Sequence, residues 1–304
     1  MNGGPSMNGG PSMTGDGSDR RQYKSDLHKT DLPVLHEVKS AGHGALRLRL
    51  KASHGLAIFA VCLLSSATAY AQGGSADDSI FAAILRWMPL LLKGFLFNLL
   101  ISILAMAVGT IVGAALGLGQ ISIFPWLRKL SWAVTQFFRN SPWLVLLFFA
   151  MFLLPFELHI GGIVIPLPDW LKAIIGLSLP VMANVSEIVR GAVLSLPSGQ
   201  WESAESLAFS RQQTLWRIIL PQCIKRMLPP WMNLYAILTM ATVLASIVGV
   251  SEVMTLTGQA LAAENGRTDL LIPFYSFVLL LFFAYCYPIA RWTVYLENKF
   301  AVKG

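Results

Sequence analysis

Five apolar stretches, each near the length needed to cross a bilayer, constrain this chain more than any other feature. They fall at about 89–118, 141–157, 172–195, 231–251 and 271–293. At about 1.5 Å rise per residue, some 20 helical residues span the hydrocarbon core. A backbone inside lipid must satisfy its own hydrogen bonds, and these stretches do not alternate as strands would, so they read as helices. The expected fold class is all-α: a polytopic membrane helix bundle with five core transmembrane helices. Composition agrees. Only 13% of the 304 residues are charged and 55% are hydrophobic, far from the balance of a soluble domain.

The chain before the bundle divides in two. Residues 1–54 open with the direct repeat MNGGPSMNGGPS. So little apolar surface cannot offset the chain entropy lost on folding, which predicts a disordered polar tail. A sixth apolar segment follows at 55–74, with Arg47, Arg49 and Lys51 in front and Ala69-Tyr70-Ala71 behind. A cleaved secretory signal and an extra transmembrane helix both fit that pattern, and both deliver residue 75 to the outer side.

Charge then orients the bundle. One set of loops holds Arg128, Lys129, Arg139, Arg190, Arg211, Arg217, Lys225, Arg226, Arg291, Lys299 and Lys303; the opposite set holds only Lys172 and Arg267. By the positive-inside rule the C-terminus is cytoplasmic. The net charge of +7 is thereby explained by membrane orientation, and no nucleic-acid partner is expected. Gly109, Gly113 and Gly117 put small residues on one face of the first core helix, the pattern of close helix packing. Cys62, Cys223 and Cys286 show no metal or disulfide spacing and read as packing residues.

No catalytic motif is present in the sequence. There is no GxxxxGK[ST] loop to cradle phosphate, no HExxH and no GxSxG, so neither a catalytic residue nor a metal site is expected. The informative segment is 197–230. Pro197-Ser198-Gly199 opens a short helix, with Ser198 as candidate N-cap and Glu202 in the first turn, where a carboxylate suits the helix dipole. Ser210-Arg211-Gln212-Gln213 matches a capping box for a second helix carrying Leu215, Ile218 and Ile219 on one side. Pro221 is expected to end or bend it. Such a pair suits docking into another protein's groove, and equally a surface position on lipid headgroups.

With Glu202-Ser203-Ala204, then Ala208, then Ile218-x-Leu220-Pro221, this segment resembles the EAA loop of ABC importer membrane subunits: EAA, three residues, glycine, nine residues, I-x-L-P. The longer string GQWESAESLAFSRQQTLWRIILPQCIKRMLPPWMN is similar to the polar amino acid permease branch. So are Phe138-Arg139-Asn140-Ser141-Pro142-Trp143-Leu144-Val145, beside F-R-G-T-P-L-L-V, and Ser186-Glu187-Ile188-Val189-Arg190-Gly191, beside A-E-I-V-R-G. The resemblance covers about 85–300. Ser203 replaces an alanine, Asn140 a glycine, and Ala208 the glycine that turns the chain between the two helices. A left-handed alanine costs about 1 kcal/mol or more, so the resemblance leaves either a right-handed turn or altered docking geometry.

The resemblance implies a permease subunit of an ATP-driven importer for a polar amino acid, in the cell (inner) membrane. Its partners would be ABC ATPase subunits, a second permease subunit, identical or related, and a periplasmic or extracellular amino acid binding protein. ATP and Mg would be used by the ATPase, with no cofactor on this chain. Glu202, Ala204, Ala208, Ile218, Leu220 and Pro221 would form the ATPase-coupling surface. Four polar residues are candidates for the substrate path: Glu187, Asn184, Asn98 and Ser102. Each also has a structural reading, Glu187 as an i,i+3 pair with Arg190 and the others as helix–helix contacts. The rival classes are a secondary transporter, which needs mid-membrane ionisable groups or broken helices, and a membrane-anchored assembly or sensor protein.

Overall fold

The computed structural model describes residues 80–160 and 163–300, all within one unit, Ser53–Gly304. The tail at 1–54 and the segment at 55–74 lie outside the described residues. The first core helix, α1 (Ile80–Gln120), has 41 residues and so runs about 60 Å, longer than the hydrocarbon core is thick. The helix starts nine residues before the apolar block at about 89–118, so Pro89 sits inside it.

The second apolar block is not one straight span. α2 (Pro125–Arg139) and α3 (Trp143–Leu153) meet at a bend of 103°. Pro142 lacks an N–H and steers Ser141 out of helical geometry, so the break falls between them. Asn140 sits at φ −93° and makes no use of its tolerance for left-handed backbone. An antiparallel hairpin follows, β1 (Glu157–Ile160) and β2 (Ile163–Pro166), with Leu158 opposite Ile165 and His159 opposite Val164. This small sheet is an addition to the all-helical expectation.

α4 (Asp169–Leu194) is the centre of the bundle: 72% of its apolar window is buried, against 33% for α1. The reason lies in glycine spacing. A Cβ on Gly109 would collide with Val181; on Gly113 it would sit 2.5 Å from the Met182 carbonyl oxygen; on Gly117, 2.7 Å from Val189. Three turns of α1 therefore lie against the α4 backbone, as the small-residue face predicts. Ile101, Ala105, Leu147, Leu177, Val181, Val185, Leu234 and Leu238 fill the core around this contact.

Lys172, counted above as an outer loop charge, belongs to the first turn of α4 and is fully buried. Its ammonium stands 3.5 Å over the Phe156 ring and 3.7 Å from the Asp169 carboxylate. The remaining α-helices among the described residues are α5 (Gly199–Ser206), α6 (Arg211–Thr214), α7 (Leu220–Ala241), α8 (Val253–Ala263) and α9 (Leu271–Phe300). α8 is too short to span and packs against α1 near Gly94. Among the described residues, four helical runs have membrane length, or five with the bent pair taken as one span.

Candidate coupling loop and polar path

The loop from Pro197 to Pro230 is built in three parts. α5 begins after Ser198, which occupies the cap position in right-handed geometry but makes no side-chain cap bond, contrary to its expected role. The helix ends in a Schellman turn: the Ala208 N–H donates to the Glu205 carbonyl (2.9 Å) and the Phe209 N–H to the Ala204 carbonyl (3.1 Å). That turn demands a left-handed residue at its pivot, normally glycine. Here the pivot is Ala208 at φ 58°, so the turn keeps its handedness and the alanine bears the strain. Ala208→Gly is expected to stabilise the protein by about 1 kcal/mol, read as a later thermal unfolding midpoint in detergent.

The second part confirms the capping box. The Ser210 N–H donates to Gln213 Oε1 (2.9 Å) and the Gln213 N–H to Ser210 Oγ (3.3 Å). The third part departs from expectation, because Pro221 neither ends nor sharply bends the helix. A π-helical turn at Leu215–Ile219 precedes it, and helix continues from Arg211 to Val248. The wider turn re-routes backbone hydrogen bonds around the N–H that proline lacks.

The loop is firmly anchored. Ile219 and Cys223 are fully buried against Ala192, Val193 and Leu196 at the end of α4, with Trp201, Leu215 and Leu220 packed around them. Arg226 Nη1 donates to the Ser195 carbonyl (2.9 Å) and hydroxyl (3.0 Å). Of the named coupling residues, Ala204 is only 2% exposed and fastens α5 inward. Glu202, Ala208 and Pro221 are exposed, while Ile218 and Leu220 are half-buried. Leu207 and Trp216, large and exposed, join this outer surface; their lack of any polar role hid them in the sequence.

The four polar candidates do not gather in one place. Glu187 pairs with Arg190 (2.7 Å), with Arg139 at 3.5 Å and a donated bond from Gln120 (3.3 Å). Gln120 Nε2 also donates to Ser186 (2.7 Å) and Thr135 (3.1 Å). The structural pairing of Glu187 is thus present, and it joins both permease-like motifs. Asn184, whose Nδ2 donates to the Pro180 carbonyl (2.7 Å), lines with Glu187, Arg139, Arg226 and Asn233 a cavity of about 520 Å³.

Ser102 donates to the Leu99 carbonyl (2.8 Å) and reaches Tyr235, itself 2.8 Å from the Tyr285 hydroxyl. Asn98 stands apart. It donates to Thr242 (3.0 Å) and Glu252 (2.8 Å) and accepts from the Val253 N–H (3.1 Å). Glu252 also caps α8, accepting from the Met254 and Thr255 N–H groups (3.0 and 3.2 Å). The sequence reading missed this fully buried carboxylate because it sits just past an apolar block. Asn98→Leu removes a buried donor from it and is expected to cost about 2 kcal/mol, measured as an earlier unfolding midpoint. An unchanged midpoint would mean that Glu252 does not depend on Asn98.

Membrane-length helices around a central α4, with a rigid two-helix loop clamped to one end, define a membrane permease. The chain belongs to the family of binding-protein-dependent transport system inner membrane components, which it matches over residues 109–302. It is a permease subunit of an ABC importer. Among its relatives, the probable amino-acid ABC transporter permease protein YckA of Bacillus subtilis is 36% identical over 213 residues, 70% of this chain and 90% of that protein. The L-cystine transport system permease protein TcyB of the same organism is 31% identical over 214 residues, 69% and 86% of the two chains. A crystal structure of an amino acid ABC transporter superposes with a TM-score of 0.62 at 19% identity, covering 74% of this chain and 100% of that one; it shares the fold.

Proposed function

We infer that this subunit imports a polar amino acid, driven by ATPase subunits that grip the 197–230 loop and supplied by an amino acid binding protein on the outer side. The observation that carries the reading is the anchored loop itself. A rod that must transmit force has to be stiffly joined to the helices it moves, and Ile219, Cys223 and Arg226 tie this one to α4. The names of YckA and TcyB support an amino acid as cargo.

Glu202 supplies the charged contact with the ATPase and Ile218 and Leu220 the apolar one. Ala208 sets the angle between α5 and α6, Ala204 holds α5 inward, and Pro221 adds exposed surface where the π-helical turn runs on into α7. ATP and Mg belong to the ATPase. A second permease subunit, identical or related, completes the path across the cell membrane, with the C-terminus in the cytoplasm, as the loop charges support. Asn184 and Glu187, lining one cavity, form the inner part of the path; Ser102 and Asn98, fully buried in separate hydrogen-bonded clusters, would bear on it only through the helices they join.

The test is uptake. The subunit, produced with its partners and placed in vesicles holding ATP, is given a panel of labelled amino acids. Accumulation of at least one, dependent on ATP and on the binding protein, is expected. Accumulation driven by an ion gradient without ATP would overturn the reading in favour of a secondary transporter.

A further inference from the structure

A second cavity, of about 920 Å³, lies behind α5 on the bundle side. Its walls come from the end of α1, from α2, from the end of α4 and from the coupling helices. It mixes both signs of charge: Arg128, Arg190 and Arg211 line it together with Glu202 and Glu205. Trp201 adds an aromatic wall, with the Arg211 guanidinium 5.6 Å from its ring. Gln120 also lines it and is only 5% exposed. Its Nε2 is committed to Thr135, Ser186 and Glu187, and its Oε1 is buried with no hydrogen-bond partner among the described residues.

Guanidinium groups recognise a carboxylate, and carboxylates recognise an ammonium. We propose that this cavity is a cytoplasmic binding site for a free zwitterionic amino acid, the product of import, which slows the transporter when it accumulates. The inference rests on the import reading above for its ligand and orientation. The link to rate is Glu202, which lines the cavity and also makes the charged coupling contact. An ammonium that neutralises Glu202 from behind withdraws that contact from the ATPase.

The test uses the permease–ATPase complex in phosphatidylglycerol nanodiscs, without binding protein, and a panel of tritiated polar amino acids. Saturable binding is expected, competed by free amino acids and not by their N-acetyl amides. Arg128→Gln and Glu205→Gln, neither in the coupling contact nor in the 520 Å³ cavity, should each weaken it about ten-fold; Asn184→Leu should leave it unchanged. In vesicles, lumenal amino acid should slow uptake by the wild type and not by the two variants.

Binding and inhibition that survive both variants would overturn the site, with ATP-driven uptake still intact. Loss of binding when the nanodiscs contain phosphatidylethanolamine would identify a lipid headgroup as the occupant and overturn the free amino acid. Variant-sensitive binding in a complex whose uptake needs no ATP would uphold the site and defeat the import reading instead.

Discussion

Exchanging Glu202 for lysine together with Ile218 for aspartate is expected to reduce ATP-driven uptake about 1,000-fold while the protein stays folded in the membrane. Each change removes an interfacial contact worth about 2 kcal/mol, and a loss of about 4 kcal/mol corresponds to three decades of affinity. The two side chains are chosen for what they do not touch. Glu202 is exposed on α5, and Ile218 lies outside the cluster of Ile219, Cys223, Leu196 and their neighbours that holds the loop. Pull-down of the ATPase and vesicle uptake are measured side by side with the thermal midpoint. Loss of binding and uptake at an unchanged midpoint supports coupling through this surface. If both survive the double change, the loop is not where the motor grips. Ile219→Asp is the contrasting variant: it buries a charge in the anchor and should lower the midpoint.

Gly113→Val carries the largest expected loss of stability, about 3 kcal/mol or more. A Cβ at this position would lie 2.5 Å from the Met182 carbonyl oxygen and 2.7 Å from the Val185 Cβ. The first obstacle is backbone in the middle of α4, the most buried span, so no rotamer change relieves it. α1 and α4 must part, and the matching contacts at Gly109 and Gly117 open with them. The measurement is the amount of protein in membranes and its unfolding midpoint. Gly258→Ala is the control, since a Cβ there meets nothing within 4 Å and a helix gains about 1 kcal/mol from the exchange. Equal midpoints for Gly113→Val and wild type would show that the glycine face is not the α1–α4 contact.

The coupling loop was largely readable because its signals are local. A capping box needs only Ser210 and Gln213, three residues apart, and it formed as read. The i,i+3 pair of Glu187 and Arg190 is equally local. The misreadings involve residues whose neighbours are far along the chain. Pro221 looked like a helix end, yet a π-helical turn in front of it let the helix continue once Ile219 and Cys223 were packed on α4. The first apolar block was read from about residue 89, yet helix extends in front of it to Ile80, where Ala83 packs with Phe274. The hairpin has a sequence signal, Gly161-Gly162 between apolar runs, but it sits between two much longer apolar stretches that dominate the pattern.

The sequence by itself determined that this chain lives in a bilayer, where most of its helices run, and how the 197–230 loop is capped. Those properties follow from transfer free energy, helical periodicity and end-capping, all of which act over a few neighbouring residues. Only the tertiary structure decided that α4 is the centre, that Lys172 and Glu252 are buried, that Asn98 and Asn184 belong to separate clusters, and that Ala208 turns left-handed. The physical reason is that each depends on which distant backbone comes within a few ångströms. The glycine face of α1 permits such an approach, and it takes the α4 backbone to make it.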